Sequence, residues 1–341
     1  MRILSGVQPS GKLHIGNYFG AVRQFIELQH EGDALYFIAD LHALTTVRDA
    51  ARARELSRDV ALDFLALGLD PAKATLFRQS DIPEVTELFW SLLTVCPMGL
   101  LERAVSYKDK LARGFSPEAG LFTYPVLQAA DIMVYGADVV PVGKDQLPHL
   151  EITRDLANKF NLAFVPGYDP ARPEGDKKGR GAGVLKLPRA HVRAETAVVP
   201  GLDGQKMSKS YGNTIDLFAD DGALKKCIMG MKTDSAAVDE PKSRATPLYQ
   251  LLELFAPPAE MAEIAESFDK GGLGYGHYKQ RLLALFHEAF DDARRRRREL
   301  GARSGEVEDI LAEGARRARS YAAPVMSAVR QAVGTGRPTA Q

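Results

Sequence analysis

The chain has few cysteines, no excess of charge and no long hydrophobic run. Its two cysteines among 341 residues, Cys96 and Cys227, are too few for a disulfide framework and lack the spacing of a metal site. Lysine plus arginine (44) equals aspartate plus glutamate (44), so the net charge favours no class of partner. No apolar stretch is long enough to span a membrane, and the N-terminus lacks the apolar segment of a signal peptide. These absences predict a cytoplasmic, globular protein in a reducing compartment.

Short apolar runs alternate with amphipathic stretches through the first half of the chain. The segment 51–67 has a helical pattern that ends before Gly68. Strands and helices in alternation predict an α/β fold, with a Rossmann-like, doubly wound parallel sheet that binds its ligand beyond the carboxyl ends of the strands. The runs with the pattern of buried strands are residues 3–4, 34–39, 74–77 and 139–142.

The second half has a different composition. Glycine, proline, lysine and arginine crowd residues 164–196, which predicts a long, basic and irregular insertion. After Asp216 the pattern is almost wholly helical. We therefore predict a catalytic domain over residues 1–215 and an appended all-helical domain over 216–341, whose last helix can pack back on the first domain. The helical segments are 224–231, 248–255, 261–268, 278–299 and 306–333.

Five consecutive arginines, residues 294–298, lie in this helical half. They cannot all face one way on a helix. We therefore favour a solvated turn beside Asp291 and Asp292 over a contact with nucleic acid.

A glycine-containing turn near the N-terminus leads into an amphipathic helix. Residues 6–12 match the spacing of a P-loop up to its lysine, but Leu13 stands where a P-loop needs a hydroxyl. His14-Ile15-Gly16-Asn17 then opens a helix that extends to His30. A strand, a polar turn and this helix start suit a nucleotide, because His14 and Asn17 can donate to its oxygens and Gly16 leaves room for it. A histidine packed at a helix start is the alternative.

A second motif lies far along the chain, in the KMSKS loop at residues 206–210. The sequence Lys-Met-Ser-Lys-Ser places two ammonium groups and two hydroxyls in a short span, directly after a glycine-containing stretch. Such a loop suits a polyphosphate that must be bound and released. Alone, each motif more often belongs to an ordinary loop or helix start. Their occurrence together on an α/β pattern favours a nucleotide site.

The two motifs resemble the signatures of class I aminoacyl-tRNA synthetases, and further segments resemble the tryptophanyl-tRNA synthetase family in particular. The resemblance runs in order from Met1 to Asn213 and resumes weakly at residues 272–276. It implies the activity of a tryptophan–tRNA ligase: tryptophan reacts with ATP, pyrophosphate leaves, and the amino acid is transferred to tRNA. It also implies a homodimer and Mg²⁺ carried by the triphosphate. The matching segments are 6–11, 14–18, 38–45, 124–127, 140–143 and 145–146.

The resemblance also implies which residues bind ATP. The first reaction needs no general base, because the amino-acid carboxylate is already ionised at neutral pH. Catalysis then consists of positioning and charge stabilisation by Lys206, Ser208 and Lys209, which close on the triphosphate. Lys110 is either a further triphosphate partner or a surface lysine. The expected ATP-binding residues are Gln8, Pro9, Ser10, His14, Gly16, Asn17, Gly143, Lys144, Asp145, Val198, Lys206, Met207, Ser208, Lys209 and Ser210.

A polar stripe on an apolar helix indicates the amino-acid pocket. Pro125 suits the first position of a helix, and Tyr124, Gln128, Asp131 and Tyr135 then share one face. A buried Asp131 needs a partner: a carboxylate suits the N–H of an indole, and a salt bridge to another helix is the alternative. By resemblance, the tryptophan-binding residues are Leu4, Tyr124, Gln128, Asp131, Val140, Val142 and Gln146, and no metal ligand is expected.

Two residues depart from the family pattern and leave other functions open. The family commonly has methionine in place of Gln128 and an acidic residue in place of Lys144. Gln128 with Asp131 is also similar to tyrosyl-tRNA synthetase, so tyrosine activation is one alternative. Another nucleotidyltransferase on the same fold, and a paralogue that only binds tryptophan or tRNA, are two more. Intact Lys206 and Lys209 count against the last, because a pure binder needs no pyrophosphate clamp.

Overall fold

Five parallel strands form the centre of the molecule in a computed structural model that describes residues 1–103, 114, 118–143, 146–191 and 199–336. The strand order is β3-β2-β1-β4-β5, so the direction of winding reverses between β1 and β4. This is a doubly wound sheet, and the predicted fold class is confirmed. The strands are β1 (Arg2–Val7), β2 (Asp33–Ile38), β3 (Ala74–Arg78), β4 (Val139–Pro141) and β5 (Arg189–His191).

Helices connect the strands and make up most of the second half. The first helical segment contains α1 (Ile15–Asn17), a π-helical turn (Tyr18–Val22) and α2 (Arg23–Leu28), and short 3₁₀ turns lie at Gln79–Asp81 and Lys209–Tyr211. The other described helices are α3 (Asp40–Ala43), α4 (Ala50–Ala66), α5 (Pro83–Leu93), α6 (Met98–Glu102), α7 (Ala119–Met133), α8 (Leu147–Phe164), α9 (Asp221–Met229), α10 (Pro247–Phe255), α11 (Pro258–Lys270), α12 (Tyr275–Ala302) and α13 (Ser304–Val333).

The boundaries of α4 illustrate how local sequence sets the helices. The carboxylate of Asp49 accepts a hydrogen bond from the backbone N–H of Arg52 at 2.7 Å and so caps the start of the helix. Gly68 follows the end of the helix with a φ of +111°, a conformation that favours glycine. The observed helix matches the predicted segment within one residue at each end.

The last helix packs against the sheet. Along α13, Ala318, Ala322 and Met326 are fully buried in a cluster that includes Leu35 of β2 and Phe77 of β3. The backbones of α13 and β3 also approach closely, since a Cβ placed on Gly314 would lie 1.8 Å from the carbonyl oxygen of Leu76. Helices α9 to α12 share a second buried cluster with β2, β3 and α4. The domain boundary at residue 215 remains a prediction.

One sequence expectation about secondary structure is wrong and another is incomplete. Pro125 lies inside α7 rather than at its first position, because the helix begins six residues earlier at Ala119. The stretch 164–196 is irregular between residues 165 and 188, as expected, but the short strand β5 lies within it and pairs with β4 in parallel. Two of the three residues of β5 are exposed and the third is only partly buried, so no apolar run marked them as a strand.

The arginine run does not form a solvated turn. It lies within α12, and Arg294 is only 6% exposed. Its guanidinium pairs with Asp221 at 2.7 Å and with Asp291 at 3.0 Å. Arg297 pairs with Asp59 at 2.8 Å, so successive arginines contact different elements around the helix. The predicted turn is wrong, because the run is helical and Arg294 is buried. The predicted solvation holds for the three exposed members, Arg295, Arg296 and Arg298.

Candidate active site

A cavity of about 480 Å³ opens where the order of strands reverses, at the carboxyl ends of β1 and β4. Ligands of doubly wound sheets bind at this position. Helix α7 forms one wall of the cavity, and the first turn of α8 lies at its rim. The lining includes the seven residues predicted for the amino acid, Leu4, Tyr124, Gln128, Asp131, Val140, Val142 and Gln146, together with Gln8 and Gly143.

Asp131 is the buried charged group of this cavity. Its side chain is 1% exposed, and burial raises the pKa of its carboxyl. The amide nitrogen of Gln79 donates to both carboxylate oxygens, at 2.7 and 2.9 Å, and Nε2 of His42 lies 2.9 Å from Oδ2. These hydrogen bonds lower the pKa and so oppose the effect of burial. A carboxylate has about four acceptor positions, which leaves capacity for a donor on a ligand.

His42 and Gln79 were missed as site residues by the sequence analysis. His42 lies on α3, which follows β2, and Gln79 directly follows β3. Polar residues directly after the carboxyl end of a parallel strand are the signal that could have identified them. Gln79 is fully buried, so its amide has a defined orientation toward Asp131.

The walls of the cavity combine aromatic and aliphatic side chains. The ring of Tyr124 meets His42 edge-on at 6.4 Å and lies 5.7 Å from the ring of His149. Burial raises the pKa of Tyr124 to about 12, so its hydroxyl stays protonated near neutral pH. Leu4 and Val140 are buried and line the same cavity. The cavity is therefore a slot with both apolar and polar walls, and the carboxylate of Asp131 lies in its lining.

The His-Ile-Gly-Asn turn is joined to the segment that follows the KMSKS loop. The backbone N–H of Ile15 donates to the carbonyl of Ile215 at 3.0 Å, and the N–H of Leu217 donates to the carbonyl of Leu13 at 3.1 Å. His14 is 5% exposed, and its backbone N–H donates to Oδ1 of Asn17 at 3.1 Å. The structure therefore brings the two distant sequence motifs together.

His14 is neutral at physiological pH. Burial and the nearby charge of Lys209 lower the pKa of its imidazole to about 4. Among the described residues, its buried Nδ1 has no hydrogen-bond partner. A neutral ring adds no positive charge at the turn predicted to bind the nucleotide.

Met207 and Lys209 of the KMSKS loop contact the N-terminal turn. Met207 is 4% exposed and lies against Gly16, where an added Cβ would lie 3.3 Å from the Cβ of Met207. The Nζ of Lys209 lies 3.5 Å from the corresponding position on Gly11. Burial lowers the pKa of Lys209, while the charges of Asp216 and Asp63 oppose that shift. The Lys209 ammonium group thus lies beside the turn predicted to bind the nucleotide.

Asn213 holds the KMSKS loop in shape and was not predicted as a site residue. Its side chain is buried, accepts from the N–H of Ser208 at 2.8 Å and donates to the carbonyl of Lys206 at 3.2 Å. It also donates to Asp203 at 2.7 Å. Gly201 allows this arrangement, because a Cβ there would lie 2.2 Å from the amide nitrogen of Asn213.

The remaining predicted ATP residues lie near these groups or outside the described residues. Gln8 donates to the carbonyl of His42 at 3.4 Å, Pro9 is buried and Ser10 is exposed. The N–H of Ser210 donates to the hydroxyl of Ser208 at 3.3 Å, and Lys206 is exposed. The predicted site residues outside the described ranges are Lys110, Lys144, Asp145 and Val198.

The described ranges contain neither a cluster of metal ligands nor a membrane-spanning helix. No three histidine, cysteine, aspartate or glutamate side chains in them come together as metal ligands. None of the helices in these ranges has the length and apolar character needed to cross a bilayer.

The comparisons with known proteins agree with this geometry. A family model described as tRNA synthetases class I (W and Y) matches residues 1–291. The chain belongs to this family of class I tRNA synthetases for tryptophan and tyrosine.

Within the family, the chain is similar over nearly its whole length to tryptophan–tRNA ligases, as the motifs predicted. The tryptophan–tRNA ligase of Rhodopirellula baltica is 50% identical over 98% of this chain and 99% of its own. The crystal structure of the Campylobacter jejuni tryptophanyl-tRNA synthetase, complexed with ADP and tryptophan, matches with a TM-score of 0.89 and 44% identity, over 98% of this chain and 100% of that chain. The Mycoplasma pneumoniae tryptophanyl-tRNA synthetase matches with a TM-score of 0.77 and 29% identity, over 98% of each chain.

Proposed function

We propose that this enzyme is a tryptophan–tRNA ligase that forms tryptophanyl-adenylate from tryptophan and ATP and then transfers the tryptophanyl group to tRNA. The observation that carries the proposal is the buried carboxylate of Asp131, which lines the cavity at the carboxyl ends of the strands together with Gln8 of the N-terminal turn. The relatives that bear this name are up to 50% identical over nearly the whole chain.

In the first step, a carboxylate oxygen of tryptophan attacks the α-phosphorus of ATP. The new bond joins that oxygen to the α-phosphorus, the bond from the α-phosphorus to the bridging oxygen breaks, and pyrophosphate leaves with the electron pair of that bond. The attacking carboxylate is ionised, so no side chain has to remove a proton. The protein lowers the barrier by orienting the reactants and by stabilising the charge on the leaving group.

We assign the triphosphate to the KMSKS loop and the N-terminal turn. Lys206 and Lys209 supply positive charge to the departing pyrophosphate, and Ser208 supplies a hydroxyl donor. Gln8, Ser10 and Asn17 contact the nucleotide from the other side. The other nucleotide contacts proposed by resemblance are Pro9, His14, Gly16, Gly143, Lys144, Asp145, Val198, Met207 and Ser210, with Lys110 as a further triphosphate partner.

Magnesium enters this proposal with the nucleotide. The side chains proposed at the triphosphate are ammonium and hydroxyl groups, which do not form the set of oxygen ligands that Mg²⁺ prefers. Phosphate oxygens are therefore the ligands we expect for it. The Campylobacter jejuni relative, complexed with ADP and tryptophan and 44% identical to this chain, supports ATP and tryptophan as the substrates.

Selection of tryptophan is assigned to the end of the slot. The indole N–H is a donor, so it pairs with the carboxylate of Asp131, while Leu4, Val140 and Val142 contact the ring. Gln146 binds the α-ammonium group, and Tyr124 and Gln128 complete the wall. A tyrosine phenol can also donate to Asp131, so size and shape of the slot must exclude it.

The remaining parts of the proposal concern partners and location. The tRNA contacts the helical region over residues 216–341, and two copies of the chain form a homodimer in the cytoplasm. Two free cysteines and balanced charge are compatible with that compartment.

Pyrophosphate exchange tests the function. The purified chain is incubated with ATP, Mg²⁺ and labelled pyrophosphate, with tryptophan or with tyrosine, and label entering ATP is measured. We expect exchange that depends on tryptophan, followed by charging of tRNA when it is added. Exchange driven by tyrosine alone would overturn the assigned substrate. A chain that binds tryptophan without any exchange would be a binding protein.

A further inference from the structure

The buried carboxylate of Asp63 lies directly behind the N-terminal turn. Asp63 is on α4 and is 2% exposed. It accepts a hydrogen bond from the backbone of Leu13, the residue before His14. It also pairs with Nε of Arg297, which belongs to α12 in the helical half of the chain. One carboxylate thus connects the nucleotide turn to a helix more than two hundred positions away in sequence.

Arg297 has a second connection to the same turn. Its guanidinium carbon lies 5.0 Å from the centre of the Phe218 ring. Phe218 follows Leu217, whose N–H donates to the carbonyl of Leu13 at 3.1 Å. The other side of the guanidinium pairs with Asp59 at 2.8 Å. Arg297 therefore contacts α4 and the segment after the KMSKS loop at once, and both of these bind Leu13.

We propose that Asp63 and Arg297 are a positioning pair that holds the ATP-binding turn at Leu13 in place from α12. The inference rests on the function proposed above for the His14 turn. The pair touches neither substrate and acts through the backbone of Leu13. Its effect falls on ATP and leaves tryptophan binding unaltered, because the residues assigned to tryptophan lie on β1, β4, α7 and the segment between β4 and α8.

The negative charge of Asp63 is a second reason why Arg297 should matter for ATP binding. The carboxylate of Asp63 is close enough to Lys209 for its charge to act on that ammonium group. An unpaired negative charge behind an anion site would oppose a triphosphate and weaken the effect of Lys209. Arg297 neutralises this charge while leaving the carboxylate able to accept from Leu13. Removing the arginine alone should therefore harm ATP binding more than removing both charges.

Two variants of the full chain test the pair by tryptophan-dependent pyrophosphate exchange. In Arg297→Gln we expect the KM for ATP to rise about tenfold while the KM for tryptophan changes less than about twofold. In the double variant Asp63→Asn with Arg297→Gln, the amide oxygen still accepts from Leu13 and no buried charge is left unpaired. The KM for ATP should then return to within about threefold of the original value.

Arg294→Gln is the matched control, because Arg294 is also a paired arginine of α12 and has no contact with Asp63 or Leu13. We expect it to lower the unfolding temperature and to leave the KM for ATP unchanged. If Arg297→Gln is too unstable to purify, Arg297→Lys keeps the charge but loses the forked geometry, and a smaller rise confined to ATP is expected.

Equal changes in the two KM values, or a double variant no better than Arg297→Gln, would overturn the proposed pair. Failure of the proposed function would be seen separately, as absence of tryptophan-dependent exchange in the unaltered chain. Calorimetric titration with Mg-ATP alone would then replace exchange as the readout: weaker binding of ATP by Arg297→Gln, restored in the double variant, supports the pair. Unchanged binding overturns it.

Discussion

The side-chain amide of Gln79 lies 2.7 Å from one carboxylate oxygen of Asp131 and 2.9 Å from the other. Because Gln79 is itself fully buried, it holds the Asp131 carboxylate against the wall of the cavity in one orientation. A buried carboxyl without such donors would hold its proton and lose its value as an acceptor. The ability of this site to accept an N–H therefore depends on Asp131 of α7, on Gln79 after β3 and on His42 of α3.

Replacing Asp131 with alanine should weaken tryptophan binding selectively. The lost hydrogen bond to a charged group corresponds to ~1–3 kcal/mol. ATP affinity should stay the same, because Asp131 bonds His42 and Gln79, neither of which is assigned to the triphosphate. Calorimetric titration with tryptophan and, separately, with ATP measures both. Asp155→Ala, on the exposed face of α8, is the control, and unchanged tryptophan affinity in Asp131→Ala would remove Asp131 from the pocket.

Replacing Lys209 with alanine should slow activation far more than it weakens binding. The rate of adenylate formation is expected to fall roughly a hundred- to a thousandfold, because a preorganised charge on the leaving group is lost. Single-turnover formation of the adenylate gives this rate, and equilibrium titration gives tryptophan affinity. Lys225→Ala, an exposed lysine of α9, serves as the control. Parallel losses in rate and affinity would contradict a role limited to the departing pyrophosphate.

A methyl group on Gly201 should disturb the KMSKS loop from a distance. In Gly201→Ala the new Cβ would meet the amide of Asn213, which bonds both Ser208 and the carbonyl of Lys206. We expect the activation rate to fall about tenfold or more, since small misplacements of positioning groups are costly. Gly276→Ala is a matched control, because its Cβ has open space. Normal kinetics in Gly201→Ala would show that the loop tolerates the loss of Asn213.

Acid should destabilise the protein through His14. The folded pKa of about 4 lies below the ordinary value of 6.5, so between these pH values the unfolded chain binds a proton that the folded chain does not. The free energy of unfolding should therefore fall as pH falls from 6.5 to 4. Above pH 6.5, His14 should not contribute to the change of this free energy with pH. We expect the protonation of His14 to lower the free energy of unfolding by about 2 kcal/mol between pH 6.5 and pH 4. This figure is smaller than the full pKa shift implies, because solvent screens part of it.

Urea unfolding of the original chain and of His14→Gln, at a series of pH values, isolates this contribution. The variant has no titrating group at this position, so the difference between the two curves reports His14. A difference that stays constant from pH 7 to pH 4 would mean that the imidazole can be protonated in the folded state.

Alanine substitutions at two glycines of α13 should change the stability of the protein in opposite directions. Gly314→Ala places a Cβ against the carbonyl of Leu76, so the helix must move off β3 at a cost of about 1–3 kcal/mol. Gly305→Ala meets nothing within contact distance and should stabilise the helix by about 0.5–1 kcal/mol. Urea midpoints with an unchanged m-value measure both. Equal effects would contradict the tight packing of α13 on the sheet.

Much of the fold could be predicted from the sequence because its strands are buried on both faces. Continuous apolar runs identify β1 to β4, and helical periodicity identifies the helices of the second half within a few residues. The short strand β5 could not be found this way, since pairing with β4 rather than composition defines it. Arg294 was misjudged because its partners Asp221 and Ala219 are distant in sequence.

The site was predicted less completely than the fold. The face of α7 that carries Tyr124 and Asp131 follows from helix periodicity, and the structure lines the cavity with both. Neither His42 nor Gln79 has a periodic signal, because each reaches Asp131 from the end of a different strand. The side chain of Asn213 binds the backbone of the KMSKS loop at Ser208 and Lys206. No pattern of residue types in the sequence indicates such bonds.

The packing of α13 on β3 has a consequence for how the protein is made. The ribosome releases the five strands of the sheet well before the residues that cover β2 and β3, such as Ala322 and Met326. Until those residues emerge, the nascent chain exposes an apolar sheet surface of the kind that promotes aggregation. Completion of the catalytic half therefore waits until α13 has been synthesised, and chaperone demand should be greatest between the release of β5 and the release of α13.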